Sequence, residues 1–161
     1  LARRHCAGLP VTVLQQDIRR LVLPRPVHLI TANFDTLNHL LSVRDLAAVV
    51  RCIARALLPG GHFFGDFLTP AVPIPPGGGV AIRFPGMIQV LKRLPRCPIL
   101  ACRVISPPDR VERHYDRLYS PALMRRLFER AGVKILGVRS ATTLGPLGPA
   151  THRGLLIGLR S

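Results

Sequence analysis

The chain has no tryptophan, and aromatic residues make up only 5% of its 161 positions. Platforms for stacking bases are therefore scarce, which counts against a nucleic-acid binder despite a formal charge of +15. Lysine is scarce as well. Lys92 and Lys134 are the two present, and the other basic residues are arginines scattered singly or in pairs, not gathered into a stripe. The cysteines Cys6, Cys52, Cys97 and Cys102 make no Cys-x-x-Cys pair and no metal-ligand spacing, and read as free thiols of a reducing cytoplasm. No stretch approaches the roughly 18 uninterrupted apolar residues of a membrane helix. The first residue is Leu1, not methionine, and no glycine-rich turn precedes Val11.

What is there folds. Hydrophobic residues at 48% against 19% charged ones fit a single domain with a sizeable core. Residues 1–8 resemble the tail of a helix stopped at Gly8, and 11–14 read as a short strand ending in Gln15-Gln16-Asp17. The apolar run Val27–Ala32 predicts a strand buried on both faces. Ser42 followed by Asp45 predicts a capped helix with apolar positions at Val43, Leu46, Ala47, Val50, Ile53, Ala54 and Leu57. Pro59-Gly60-Gly61 ends it before a strand over 62–67. A second helix starts at Ser120 with Pro121 in its first turn and closes at Gly132, and strands follow over 133–138 and 154–159.

Between these blocks, residues 69–86 hold five prolines and Gly77-Gly78-Gly79, the composition of a long irregular loop. A short helix over 87–94 and strands over 99–104 and 111–115 would form a small insertion. Alternating strands and helices imply an α/β fold with a mostly parallel sheet flanked by helices, whose ligands bind beyond the carboxyl ends of the strands. Those ends carry Asp17, Asn33-Phe34-Asp35 and Asp66-Phe67.

Together, Leu14-Gln15-Gln16-Asp17-Ile18-Arg19, Asn33-Phe34-Asp35-Thr36-Leu37-Asn38-His39, Leu57-Leu58-Pro59-Gly60-Gly61, Glu112-Arg113-His114-Tyr115, Tyr119-Ser120 and Arg130-Ala131-Gly132-Val133 carry a resemblance. In order and spacing they are similar to class I S-adenosylmethionine-dependent methyltransferases of the small-molecule N- and O-methylating branch. The resemblance is weakest over 71–108. It implies a partial Rossmann-like sheet, strands three to seven of seven, in the carboxyl-terminal part of one domain over 1–161. The segment 69–111 would shape the substrate region, and the activity implied is methyl transfer from S-adenosylmethionine to a small-molecule acceptor.

The resemblance also implies roles. Asp17 would accept the adenine amino group and the Ile18 N–H would face the ring, although a turn-capping Asp17 explains the same residue. Asn33, Phe34 and Asp35 would line the cofactor's methionine, with Asn38 toward the substrate. His39 and His114 are the candidate bases, since imidazole titrates near neutrality, although each reads first as a surface or hydrogen-bonded structural histidine. Asp66, Glu112 and Tyr119 would contact substrate, Asp66 with a turn-capping alternative. The family's glycine-rich loop and ribose-binding acid have no counterpart here, so the sequence reads as an enzyme without its front end. Losing three or four charge-assisted contacts removes about 5–10 kcal/mol, comparable with micromolar affinity, so the chain alone is expected to bind cofactor weakly. Two alternatives stay open: a non-catalytic interaction protein of the same fold, and a basic RNA-binding methyltransferase fragment. The fourth-strand edge left bare in either case invites pairing with another chain.

Overall fold

The structure, a computed structural model, describes residues 2–161. Helix α1 is one short turn, Ala2–His5, of the tail expected over 1–8; Leu1 lies outside the described residues. Residues 11–14 form no strand. This corrects the expected third strand: with no neighbouring strand to complete its ladder, the segment runs exposed to a 3-10 turn at Ile18–Arg20.

The main sheet uses four strands, β1 (Val27–Ala32), β2 (Leu57–Leu68), β7 (Val133–Ser140) and β8 (Arg153–Arg160), in the order β1-β2-β8-β7. β1 pairs parallel with β2, and β8 runs antiparallel to both β2 and β7. Three of the four strands therefore point one way. Helices α2 (Val43–Ala56) and α3 (Pro121–Arg130) pack into one core against this sheet. The Ser42 hydroxyl accepts from the Asp45 N–H at 3.0 Å and donates to the Asp45 carboxylate at 2.8 Å, so both ends of the capping box are closed. Ser120 caps α3 by accepting the Leu123 N–H at 3.2 Å, and Gly132, at φ +82°, takes the left-handed position just beyond the helix.

Leu46, Val50 and Ile53 of α2 and Met124 and Phe128 of α3 meet Phe63, Val133 and Leu156 of the sheet, with the Phe63 and Phe128 rings 4.7 Å apart. Side chains alternate along β2: Phe63 is buried and Phe64 exposed. The expectation that β1 is buried on both faces is overturned. β1 is an edge strand with His28, Leu29 and Thr31 exposed, because both helices lie on one side of the sheet.

The insertion is larger than expected. β3 (Gly79–Phe84), β4 (Met87–Arg93), β5 (Ile99–Ser106) and β6 (Arg110–Arg117) form an antiparallel meander, a sheet of its own. β3 lies within the expected loop and β4 replaces the expected helix. Phe84 pairs with Met87 across Pro85–Gly86, with Gly86 at φ +76°, so a tight Pro-Gly turn folds the two strands together. Leu91 and Leu100 pack against Leu68, Val72, Ile74 and Leu118 in a second small core that ties the meander to the end of β2.

Candidate functional site

The carboxyl ends of β1 and β2 face the inner side of the meander across a cavity of about 450 Å³. After β1 the chain turns through Phe34 and Asp35, both with positive φ (56° and 61°), a strained conformation for residues other than glycine. The turn is held from below. The Thr36 hydroxyl donates to the Asn33 carbonyl at 2.6 Å, and the Asp35 N–H to the Asp66 carboxylate at 3.3 Å. Arg153, at the start of β8, lies 2.8 and 2.9 Å from the two Asp35 oxygens and also binds Asp66. Phe34 stands at the cavity lip, 87% exposed.

Burial pushes the Asp35 carboxyl above its ordinary range, with Arg153 opposing and Asp66 adding to the rise. Burial also works against the Arg153 charge, but Asp35 and Asp66 outweigh it and hold that guanidinium more firmly protonated.

A second polar group lies in the same cavity. His39 Nδ1 is 2.9 Å from one oxygen of Asp116, and His114 Nε2 is 3.8 Å from the other. The two rings meet edge to face with centroids 5.4 Å apart. Asp116 is almost fully buried, and its carboxyl is raised by that burial against the pull of His39 and His114. Thus the two histidines singled out in the sequence, 75 residues apart, share one carboxylate that sequence reasoning missed. The available signal was the spacing His114-x-Asp116 on one strand, which puts both side chains on the same face. Arg153 was missed as well. Nothing in its local sequence shows that its strand brings it beside Asp35 and Asp66.

Several of the expected site residues are held in other contacts. Asn38 is fully buried. Its amide donates to the carbonyls of Leu68 (3.1 Å) and Arg117 (2.6 Å), and its oxygen accepts from the Leu68 N–H (2.9 Å). It joins the two sheets and presents nothing to a substrate. Tyr119 is buried too, its hydroxyl donating to the Leu40 carbonyl, and burial pushes its ionisation up to about 12. Glu112 sits on an exposed part of β6, paired with Arg110 at 2.5 Å and away from the cavity lining. Asp66 neither lines the cavity nor caps the following turn; it anchors the Asp35 turn through Arg153.

Asp17 caps the 3-10 turn. Its two oxygens take four hydrogen-bond contacts from the Arg19 backbone and guanidinium, which hold its carboxyl down at about 2. Three Arg19 N–H groups, the Nε–H shared between both oxygens, thus compete with an adenine amino group for the Asp17 carboxylate. Ile18 packs against the main core.

No known protein-family description matches the sequence, and no curated protein matches it. Solved structures do. A methyltransferase dependent on S-adenosylmethionine, from Clostridium acetobutylicum ATCC 824, matches 98% of this chain and 68% of its own at 17% identity, TM-score 0.82. The CcbJ methyltransferase of Streptomyces caelestis matches 99% of this chain and 73% of its own at 18% identity, TM-score 0.83. The chain has the fold of S-adenosylmethionine-dependent methyltransferases. The same fold is seen in CalS10, an amino pentose methyltransferase of Micromonospora echinaspora solved with S-adenosylmethionine bound (21% identity, 99% of this chain, 68% of that one, TM-score 0.74). The Rossmann-like architecture expected from the sequence is thus the one observed, less the strand over 11–14.

Within that fold, the cavity lies where open α/β sheets bind ligands, beyond the carboxyl ends of β1 and β2. Phe34 and Asp35 of the turn after β1 line it, with the exposed Phe34 ring at the tip. Asp17 as placed is engaged by Arg19.

Proposed function

We propose that the chain forms the acceptor side of a methyltransferase that uses S-adenosylmethionine and methylates a small molecule. The observation that carries this reading is the His39–Asp116–His114 group, which opens into a cavity at the ligand-binding edge of a methyltransferase fold. When bound, the cofactor supplies an electrophilic methyl group on a sulfonium. The Asn33–Phe34–Asp35 turn would form one wall of its site, and Arg153 fixes that turn. His39 then acts on the acceptor. Asp116 beside Nδ1 favours the proton there, leaving Nε2 to take the proton released by the acceptor. His114, on the same carboxylate, is the second candidate base.

Solved relatives in fold act on amino sugars and glycopeptides by their descriptions: CalS10 is an amino pentose methyltransferase and MtfA a glycopeptide N-methyltransferase. They support a small-molecule acceptor. Cofactor affinity is expected to be low with Asp17 occupied by Arg19, so the test uses millimolar cofactor. Transfer of labelled methyl to a panel of small amines and alcohols is measured for the wild type and for His39→Ala and His114→Ala. Loss of a general base lowers kcat about 100-fold or more. No transfer by the wild type, together with no binding of S-adenosylhomocysteine by calorimetry, refutes the proposal.

A further inference from the structure

The cavity is chemically two-ended. On the meander side its wall is aliphatic: Val72, Ile74, Val80, Ile82, Leu91 and Leu100 face it. Strand register explains why. Val80 pairs with Leu91 and Ile82 with Gln89, while Leu100 pairs with Asp116, so one face of four strands points inward. Gln89 is the one amide among the described residues that line the cavity, and it already donates to the Cys102 sulfur at 3.2 Å.

The opposite end is acidic. The chain has 8 acidic residues against 23 basic ones, yet Asp35 and Asp116 both line this end, with Asp66 behind Asp35 on the same Arg153 guanidinium. His39, His114 and His152 complete the titratable groups facing this end. Asp116 is more than nine-tenths buried and lines the cavity; its Oδ1 is enclosed beside His39 Nδ1 at 2.9 Å, and its Oδ2, with His114 Nε2 at 3.8 Å, accepts no hydrogen bond among the described residues. A buried carboxylate facing a cavity with an unfilled acceptor position is a site for a positively charged donor.

We propose that this cavity binds an ammonium group carried on an apolar body, with the cation at the Asp116 and Asp35 end and the body against β3–β5. The proposal rests on the reading of this cavity as the acceptor site and names its substrate class. It also separates this chain from amino sugar chemistry. A polyhydroxylated body laid on this wall would bury hydroxyls without partners, which costs about 1–3 kcal/mol for each unsatisfied group.

The test is a binding measurement without cofactor. The chain is titrated at about pH 8.5, where alkylamines stay protonated, with 2-phenylethylamine, 2-phenylethanol and glucosamine, followed by NMR. The amine is expected to bind about tenfold more tightly than its neutral isostere, and more tightly than the amino sugar. Asp116→Asn should remove most of the preference for amine over alcohol, and Asp35→Asn does the same job should the Asp116 variant fail to fold. Equal binding of amine and alcohol, tighter binding of glucosamine, or no binding of any probe overturns the proposal. Methyl transfer bears on the preceding proposal separately: transfer to neutral acceptors with no amine preference defeats this inference alone. Amine binding without any transfer leaves it standing.

Discussion

Two buried polar residues, Asn38 and Asp116, fix how the two sheets meet, and they do so differently. Asn38 saturates three hydrogen-bonding positions on backbone that belongs to Leu68 and Arg117. Removing its amide strands buried groups, each costing about 1–3 kcal/mol, so Asn38→Ala should lower unfolding free energy by about 2–4 kcal/mol in urea titrations. A loss below about 1 kcal/mol would show that water or Tyr119 takes over its contacts. Asp116 is held in the opposite sense. Burial raises its folded-state pKa above the ordinary aspartate value, so its contribution to stability is full below that ordinary value and declines as pH rises through the raised one. Wild type should therefore lose stability relative to Asp116→Asn as pH rises above about 4, the ordinary aspartate value. A gap that stays constant across this range would mean that the histidines fully compensate the buried charge.

Elements with a strong local signature were legible from the chain alone. α2 and α3 announce themselves through Ser42 with Asp45 and through Ser120 with Pro121, and both caps are made as expected. β1, β2, β7 and β8 follow from short apolar runs next to those helices. The meander was half hidden. Five prolines and three consecutive glycines mask β3, and the run from Met87 has apolar residues at spacings that satisfy a helix and a strand alike. The deciding signal, Pro85-Gly86 between two apolar runs, falls at the end of the expected loop. That turn can be tested. Gly86 has positive φ, and a side chain there would meet nothing within 4 Å, so the cost of Gly86→Val is conformational, not steric. It should destabilise the protein by about 1–2 kcal/mol, with Gly86→Asn recovering part of that, because asparagine tolerates the left-handed region. At this chain length each kcal/mol corresponds to about 2–4 °C in thermal melting. The site was less legible than the fold for a simple reason. His39 and His114 could be picked out by their chemistry, but Asp116 and Arg153 gain their significance only from strand register.

At the scale of the whole molecule, two tendencies oppose one another. α2 and α3 cover one face of the main sheet, while Leu29, Phe64 and Leu136 are exposed and β1 forms a free edge among the described residues. An unpaired edge beside apolar side chains favours association between copies, as the sequence led us to expect for the fourth strand. The formal charge of +15 works against it, since like-charged molecules repel until salt screens them. The two effects separate by ionic strength. In sedimentation velocity the protein should be mainly monomeric at about 50 mM salt and associate progressively toward about 500 mM, where the screening length falls to a few ångströms. Leu29→Lys places a charge on the exposed side of β1 and should suppress the high-salt species without lowering the melting temperature by more than a few degrees, as that position is already in solvent. Association that weakens as salt is added would mean that charge pairing between copies, not the bare edge and its apolar neighbours, drives the contact.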